Sequence, residues 1–144
     1  LTDVYDFFKP EADYKGIKFE LSDNFPIRDI TAETDSEKVY AIISNLVKNA
    51  IKYTDKGSVK IGCLISGECI KFFVRDTGIG ISHERQQAIF NRFEQADISD
   101  RLARQGAGLG LAIAKAYAEL LGCEISLESK KDIGSTFYFT CPLC

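Results

Sequence analysis

The sequence predicts an α/β two-layer sandwich, in which a mixed sheet of about five strands carries about three helices on one face. Three segments place apolar residues at helical spacing, and five shorter segments alternate apolar and polar residues in the manner of strands. The chain has 144 residues, 45% of them hydrophobic, and no repeat, low-complexity tract or linker divides it. This length and composition are those of one domain with a buried core.

The first half of the chain is predicted to run from helix to strand to helix. A helix over residues 1–15 ends at Gly16, and a strand over residues 17–21 follows it. The second helix covers about residues 36–53, with Asp35 as its N-cap. The apolar positions of the first helix are Val4, Phe7, Phe8 and Ala12. One face of the second helix consists of Val39, Ile42, Ile43, Leu46, Val47 and Ala50.

The second half is predicted to begin with a β-hairpin that turns near Gly67. Its two apolar faces consist of Val59, Ile61, Cys63 and Ile65 and of Ile70, Phe72 and Val74. A third helix runs from about Gly108 to Leu121, and two strands over residues 124–128 and 136–140 complete the sheet. The apolar stripe predicted for the third helix is Leu109, Ile113, Ala116 and Leu120.

Charge and hydropathy argue against two classes of partner. The formal net charge is −3 and the charged residues are interspersed, so the chain lacks the basic stripe that binds nucleic acid. It has no apolar run of the roughly 20 residues that a membrane span requires, and its N-terminal segment lacks a signal-like apolar stretch. We therefore expect a cytoplasmic domain without direct membrane contact, which leaves open an inner-membrane anchor in the parent protein.

The five cysteines, an odd number scattered over strand-like segments, favour a reducing compartment over a disulfide framework. Cys141 and Cys144 form a C-x-x-C pair, but a tetrahedral metal site needs four ligands, and His83 is the only histidine. No second C-x-x-C pair is present. The sequence therefore predicts a chance pair rather than a metal site.

The first candidate for a functional site is a polar stripe on the second helix, within the sequence NLVKNAIKYT. At about 100° per residue, Asn45, Asn49 and Lys52 fall together beside the apolar face. An amide oxygen can ligate Mg²⁺, which bridges phosphates, and a lysine ammonium binds a phosphate as a point charge. The stripe therefore fits an anionic ligand with a hard cation. A solvated helix face is the alternative, although asparagine is a poor helix former.

A second candidate is the sequence VRDTGIGI, in which an acid ends a predicted strand and two glycines follow. Without a Cβ, Gly78 and Gly80 let the backbone turn sharply and lie flat against a planar ligand. The Asp76 carboxylate could then accept a hydrogen bond from a donor such as the exocyclic amine of adenine. The alternative is a simple turn in which Asp76 binds its own backbone.

A third candidate is the sequence GAGLGLAIAKAY, where Gly106, Gly108 and Gly110 lead into the third helix. Backbone N–H groups at the positive end of a helix form a phosphate site. The segment is not a P-loop, since no G-K-[ST] follows, nor a dinucleotide fingerprint, since the glycine spacing differs. A packing role for the glycines remains the alternative.

In order and spacing, these segments resemble the catalytic and ATP-binding domain of sensor histidine kinases, which share a nucleotide-binding fold with gyrase, heat-shock chaperones and mismatch-repair proteins. NLVKNAIKYT resembles the N box, DTGIG the first glycine box, IFNRFEQAD at residues 89–97 the phenylalanine box, and GAGLGL the second glycine box. The resemblance covers nearly the whole chain and implies the Bergerat ATP-binding fold, with a lid over about residues 82–105. That stretch is polar and lacks clear periodicity, as functional lids and disordered segments do.

The resemblance also implies which residues bind the phosphates. Asn49 would hold Mg²⁺ as its metal ligand. Asn45, Lys52 and Arg104 would reach the phosphate groups of ATP and carry the catalytic step. The arginine belongs to the lid, which is the most variable part of the family.

At the adenine end, the resemblance implies that Tyr53 packs against the ring and that Asp76 binds the amino group, with Gly78 and Gly80 beside them. The remaining residues that it implies for the cofactor are Phe90, Phe93, Gly106, Gly108, Leu109 and Gly110. The phenylalanines would anchor the lid, and the glycines would let it pivot. Ala107 stands where the family often has threonine, which removes a hydroxyl near the phosphates.

The implied activity is transfer of the ATP γ-phosphoryl group to a histidine on a partner dimerisation domain, which then supplies a response regulator receiver domain. The chain lacks the family's dimerisation domain, and His83, within GISHERQQ, looks like the start of the lid rather than a phosphoacceptor. Two alternatives remain: an ATPase of the same fold, and a nucleotide-sensing module without catalysis. In the hydrolysing relatives a glutamate stands four residues before the Mg²⁺-binding asparagine; here that residue is Asn45, whose amide cannot accept a proton from water.

Overall fold

The computed structural model describes residues 2–22, 36–82, 86 and 107–142 of the chain. Within these ranges the helices are α1 (Thr2–Lys15), α2 (Ser36–Lys52) and α3 (Ala107–Leu120). The strands are β1 (Lys18–Leu21), β2 (Ser58–Ser66), β3 (Cys69–Asp76), β4 (Glu124–Lys130) and β5 (Gly134–Pro142). The strands form one mixed sheet with the helices packed on its apolar face, so the predicted two-layer α/β sandwich is confirmed.

The sheet has the strand order β1-β2-β3-β5-β4, which puts the long strands β2, β3 and β5 next to one another. Strand β1 runs parallel to β2, whereas the other neighbours are antiparallel. The predicted hairpin between β2 and β3 is present and turns at Gly67, where φ is +60°. In this register Asp76 lies between Val59 of β2 and Ser135 of β5. The last residue of β3 is therefore held in the middle of one end of the sheet.

Helix α2 packs on the sheet through the face that its sequence predicts, because its apolar residues recur every three or four positions. The residues of this face that are at most 3% exposed are Ile42, Ile43, Leu46, Val47 and Ala50. Val39 packs against them and is half-buried. The sheet contributes Val59, Ile61, Phe137 and Phe139, which are each at most 1% exposed. This contact between α2 and the central strands forms the middle of the core.

Helix α3 packs through a different face from the predicted one. Ile113 and Ala116 are exposed, and Leu120 is 72% exposed. The buried residues of this helix are Leu111, Ala114 and Ala118. Because apolar residues surround α3 on nearly all sides, their spacing does not select one face. The face is decided by tertiary packing, since α3 contacts α2 more extensively than it contacts any strand.

Helix α1 contacts β1 and α2. Val4, Phe8 and Ala12 are buried as predicted, but Phe7 is 67% exposed because it is one residue, about 100°, away from Phe8 on the helix. The predicted N-cap, Asp35, lies outside the described residues. Among the helices that the structure describes, none is long and apolar enough to cross a membrane.

Candidate functional site

The polar stripe of α2 lies beside the buried face of that helix. Spacings of four and three residues place Asn45, Asn49 and Lys52 on one side of the helix. Asn49 is 7% exposed, whereas Asn45 and Lys52 are half-buried. The Asn49 Oδ1 atom is buried and accepts no hydrogen bond from the described residues. A buried polar atom without a partner costs stability, typically about 1 to 3 kcal/mol, so its retention points to a ligand.

The end of α2 is held by a lysine of α1. Lys15 Nζ donates to the carbonyl oxygen of Ile51 at 2.7 Å and to that of Lys52 at 3.0 Å. A cation at this position also compensates the negative pole of the helix. The next residue, Tyr53, still donates its N–H to the Asn49 carbonyl oxygen at 3.0 Å. The backbone that follows α2 is therefore anchored before it reaches β2.

Asp76 is the last residue of β3 and is 6% exposed. Its Oδ1 atom accepts a hydrogen bond from the Gly78 N–H at 2.9 Å, and the Ser135 N–H also binds the carboxylate. Burial raises the pKa of Asp76 from 3.8 to about 6, although these two hydrogen bonds lower it in part. The turn in which Asp76 binds its own backbone is therefore present. A carboxylate has about four lone-pair sites, so two N–H donors leave it able to accept a further hydrogen bond.

The two glycines after Asp76 are required where the turn touches neighbouring backbone. A Cβ on Gly78 would collide with the Tyr53 carbonyl oxygen and would lie 2.9 Å from Thr54 Oγ1. Gly80 has a φ of +68°, and a Cβ there would overlap the carbonyl oxygen of Lys130. The glycine turn, residues 77–81, therefore fits between the end of α2 and the β4–β5 hairpin. Neither Gly78 nor Gly80 has room for a side chain.

The structure brings the first two sequence candidates together at one end of the sheet. The Ile79 N–H donates to the Tyr53 carbonyl oxygen at 3.2 Å, which docks the glycine turn on the residue that follows α2. Thr54, which sequence reasoning did not identify, is fully buried there, and its Oγ1 atom makes no hydrogen bond to the described residues. An amide oxygen of Asn49, a hydroxyl and the Asp76 carboxylate are thus all buried in this region.

Sequence reasoning also missed the contribution of the β4–β5 hairpin. Ser135 is 6% exposed and supplies an N–H to the Asp76 carboxylate, and a Cβ on Gly134 would overlap the Asp76 carbonyl oxygen. Ser129 Oγ accepts a hydrogen bond from the Ile81 N–H at 2.8 Å. These contacts depend on the registers of β5 with β3 and with β4, which no local pattern predicts. The available signal was the sequence GST, since a glycine in a strand marks a close approach of backbone.

Several predicted site residues lie outside the part of the chain that the structure describes, together with most of the predicted lid. They are Phe90, Phe93, Arg104 and Gly106. His83 and Cys144 also fall outside it. Gly108 and Gly110 lie in the first turn of α3, so the second glycine box does lead into a helix, while the side chain of Leu109 is not described. Among the described residues, no three His, Cys, Asp or Glu side chains converge in a way that could hold a metal ion.

The chain thus has a mixed sheet with helices on one face and a glycine turn docked at the end of α2. The family described as "Histidine kinase-, DNA gyrase B-, and HSP90-like ATPase" matches residues 34–144 of this chain. The chain belongs to this family, and the resemblance that its four sequence boxes indicate is confirmed.

Within the family, the chain is similar to sensor histidine kinases. It is 34% identical over 149 residues to the autoinducer 2 sensor kinase/phosphatase LuxQ of Vibrio vulnificus (strain YJ016), covering 99% of this chain and 17% of that protein. The catalytic domain of histidine kinase ThkA gives a TM-score of 0.81 at 29% identity, covering 99% of this chain and 89% of that structure. Full-length ShkA in complex with AMPPNP gives a TM-score of 0.85 at 30% identity, covering 99% of this chain and 29% of that one. The chain is thus a catalytic domain of the histidine kinase type. It spans only 17% of the length of the Vibrio relative.

Proposed function

We propose that this chain binds ATP between the end of α2 and the glycine turn, and transfers the γ-phosphoryl group to a histidine on a partner dimerisation domain. In two-component signalling, that phosphohistidine then supplies a response regulator receiver domain. The observation that carries the proposal is the docking of the turn after Asp76 on Tyr53, at the end of α2. This docking supports the proposal because the Asp76 carboxylate, which can accept a hydrogen bond from a purine amine, lies at the end of the sheet that the C-terminal end of α2 reaches. The family relationship supports the same conclusion.

Asp76 and Tyr53 bind the adenine end in this proposal. The Asp76 carboxylate retains acceptor capacity beyond the N–H groups of Gly78 and Ser135, and the adenine amine is a donor that fits it. Tyr53 is half-buried beside the docked turn and supplies an aromatic ring for the base. Gly78 and Gly80 let the turn lie against the backbone of Tyr53 and of Lys130, which keeps the Asp76 carboxylate close to the end of α2.

The polar stripe binds the phosphate end. Lys52 supplies a positive charge and Asn45 an amide, and Arg104 adds a second charge from the predicted lid. The Asn49 Oδ1 atom, buried and without a partner among the described residues, fits a hard cation such as Mg²⁺, because amide oxygens are among its ligands. Bound Mg²⁺ would neutralise charge on the phosphates. The first turn of α3, which begins at Ala107, adds N–H groups at the positive end of a helix.

Position 45 separates phosphoryl transfer from hydrolysis. An amide has no basic site near neutral pH, so Asn45 can orient a phosphate or a water molecule but cannot take a proton from it. The chain therefore supplies position and charge, which are the main contributions of a protein to phosphoryl transfer. We expect little ATP turnover by the chain alone.

The test uses ATP that is radiolabelled on the γ-phosphate, mixed with the chain and with a histidine-containing dimerisation domain. We expect acid-labile, base-stable phosphohistidine with the wild type and none with Asn49→Ala, because the metal would lose its protein ligand. Lys48→Ala is the matched control, because Lys48 is the neighbouring residue of the same helix and is exposed, whereas Asn49 is buried. It should transfer phosphate at the wild-type rate.

Other outcomes would favour the alternatives. Rapid release of phosphate by the chain alone would favour an ATPase. Binding of ATP without transfer to the dimerisation domain would favour a nucleotide-sensing module. Equal transfer by Asn49→Ala and the wild type would remove Asn49 from the metal site.

A further inference from the structure

The glycine turn contacts Tyr53 on one side. On its other side it is held by the β4–β5 hairpin and by the side chain of Gln86, which follows the turn in the chain. Ser129 Oγ of β4 accepts the Ile81 N–H at 2.8 Å. Gln86 Nε2 donates to the carbonyl oxygens of Ile81 at 3.1 Å and of Ser129 at 3.0 Å. The Asp132 N–H adds a hydrogen bond to the Ile79 carbonyl oxygen at 2.6 Å. Two side chains, Ser129 and Gln86, thus tie the turn to the hairpin.

The hydroxyl of Ser129 uses its full hydrogen-bonding capacity. Its Oγ atom lies 3.1 Å from the Gly134 carbonyl oxygen and 2.7 Å from Ser135 Oγ, in addition to the Ile81 contact. A hydroxyl donates once and accepts twice. Because the Gly134 carbonyl can only accept, Ser129 donates to it and accepts from Ser135 and Ile81. Removal of this hydroxyl would leave all three groups without this partner.

Ser135 connects this arrangement to the adenine end of the proposed site. Its N–H binds the Asp76 carboxylate, while its hydroxyl donates to Ser129. Ser129 is therefore one hydrogen bond from the turn at Ile81 and two from the Asp76 carboxylate. The carboxamide of Gln86 uses both of its N–H donors on the same two segments.

We propose that Ser129 and Gln86 are positioning residues for the nucleotide, which hold the glycine turn and the Asp76 carboxylate in place relative to the end of α2. Neither side chain contacts ATP in this arrangement. The inference rests on the proposed function and adds two residues of the same site to it. Because they act on the adenine end, their loss raises the KM for ATP and leaves kcat nearly unchanged.

The experiment compares four variants in ATP-binding calorimetry and in the phosphotransfer assay. Ser129→Ala removes the hydroxyl, Ser129→Thr retains it, and Gln86→Met keeps a side chain of similar length without its donors. Ser126→Ala is the matched control, because Ser126 is exposed in the same strand. We expect Kd and KM for ATP to rise about five- to tenfold in Ser129→Ala and Gln86→Met, with kcat within about twofold. Ser129→Thr and Ser126→Ala should remain close to the wild type.

A second readout needs no nucleotide. Amide hydrogen exchange at Ile81 should be slow in the wild type, in Ser126→Ala and in Ser129→Thr, and faster in Ser129→Ala. Unchanged exchange and unchanged ATP affinity in Ser129→Ala would overturn the inference, as would a fall in kcat at constant KM or a Ser129→Thr variant that is as weak as Ser129→Ala. A wild-type chain that binds no ATP would refute the proposed function instead, and exchange at Ile81 would still decide whether Ser129 holds the turn.

Discussion

The two ends of the central strands contain different kinds of buried residue. At one end Asp76 of β3 pairs with Ser135 of β5, and Thr54 is buried against the turn that follows. At the other end Ile70 of β3 pairs with Cys141 of β5, and both side chains are buried. We call these the site end and the apolar end. The site end contains groups that require hydrogen-bond partners, whereas the apolar end contains groups that require few or none.

Burial raises the pKa of an acidic group at both ends, but the free-energy cost to folding at pH 7 differs between the two groups. Burial raises the pKa of the Cys141 thiol above its ordinary value of 9.0, and that thiol is neutral at pH 7 in any case. Burial raises the pKa of Asp76 only to about 6, so this carboxyl is largely ionised at pH 7. The site end therefore carries a buried charge that opposes folding. The difference indicates that the apolar end supplies stability, whereas the site end retains polar groups for a ligand.

The largest expected effect comes from a cavity in β5 at Phe139, two residues before Cys141 of the apolar end. Phe139 is 0% exposed, and the centre of its ring lies 5.9 Å from that of Phe72. Phe139→Ala should lower the free energy of unfolding by about 3 to 5 kcal/mol, because buried apolar contacts are lost and a cavity remains. Urea denaturation measures this loss. Calorimetry on the folded fraction should show an unchanged affinity for ATP.

Leu120→Ala is the control for this substitution. Leu120 is 72% exposed on α3, so its truncation should change the free energy of unfolding by less than about 0.5 kcal/mol. Similar losses in the two variants would contradict the orientation of α3 described above.

The next substitution, Asp76→Asn, should raise the free energy of unfolding but weaken the binding of ATP. Asp76→Asn removes the buried charge. Because the pKa of Asp76 in the folded wild type is about 6 rather than the ordinary 3.8, removal of this charge should raise the free energy of unfolding by about 3 kcal/mol at pH 8. The folded wild type binds a proton on the Asp76 carboxyl group more tightly than the unfolded chain does, because the pKa of this group is higher in the folded state. The wild type therefore gains stability as pH falls from above 6 towards 4, and the advantage of the variant disappears over that interval.

Denaturation of wild type and Asp76→Asn at pH 8, 6 and 4 measures this effect. ATP affinity at pH 8 should fall at least about tenfold in the variant, because its amide can present a donor to the adenine amine. Equal ATP affinity in the two proteins would remove Asp76 from the adenine site. A variant that is less stable than the wild type at pH 8 would show that the charge of Asp76 is not a cost to folding.

The smallest effect tests the hydroxyl at the site end. Thr54→Val keeps the shape of a fully buried side chain and removes an Oγ1 atom that has no partner among the described residues. The free energy of unfolding should stay constant or rise by up to about 1 kcal/mol, because an unpaired polar group leaves the interior. Thermal denaturation with Thr54→Ser as the control measures it, since serine retains the hydroxyl. A loss of more than about 1 kcal/mol in Thr54→Val would show that the hydroxyl has a partner.

Helices α2 and α3 show when a sequence pattern predicts which side of a helix is buried. In α2, polar and charged residues separate the apolar ones, so the face containing Leu46 and Ala50 was predictable. In α3, alanines and larger apolar residues occur on almost every side, so the stripe ending at Leu120 was the wrong choice. The contrast between polar and apolar positions, rather than hydrophobicity itself, carries the information.

By itself, the sequence determined the order of helices and strands, the buried face of α2, the hairpin at Gly67, and the four boxes that indicate the family. These features depend on residues close together in the chain, through periodicity of side chains and the turn chemistry of glycine. Only the tertiary structure decided the buried face of α3 and the contacts of the glycine turn with Tyr53, Ser129 and Ser135. Those contacts join segments about 25 to 60 residues apart, and they arise from strand register and helix packing, which no short stretch of sequence encodes.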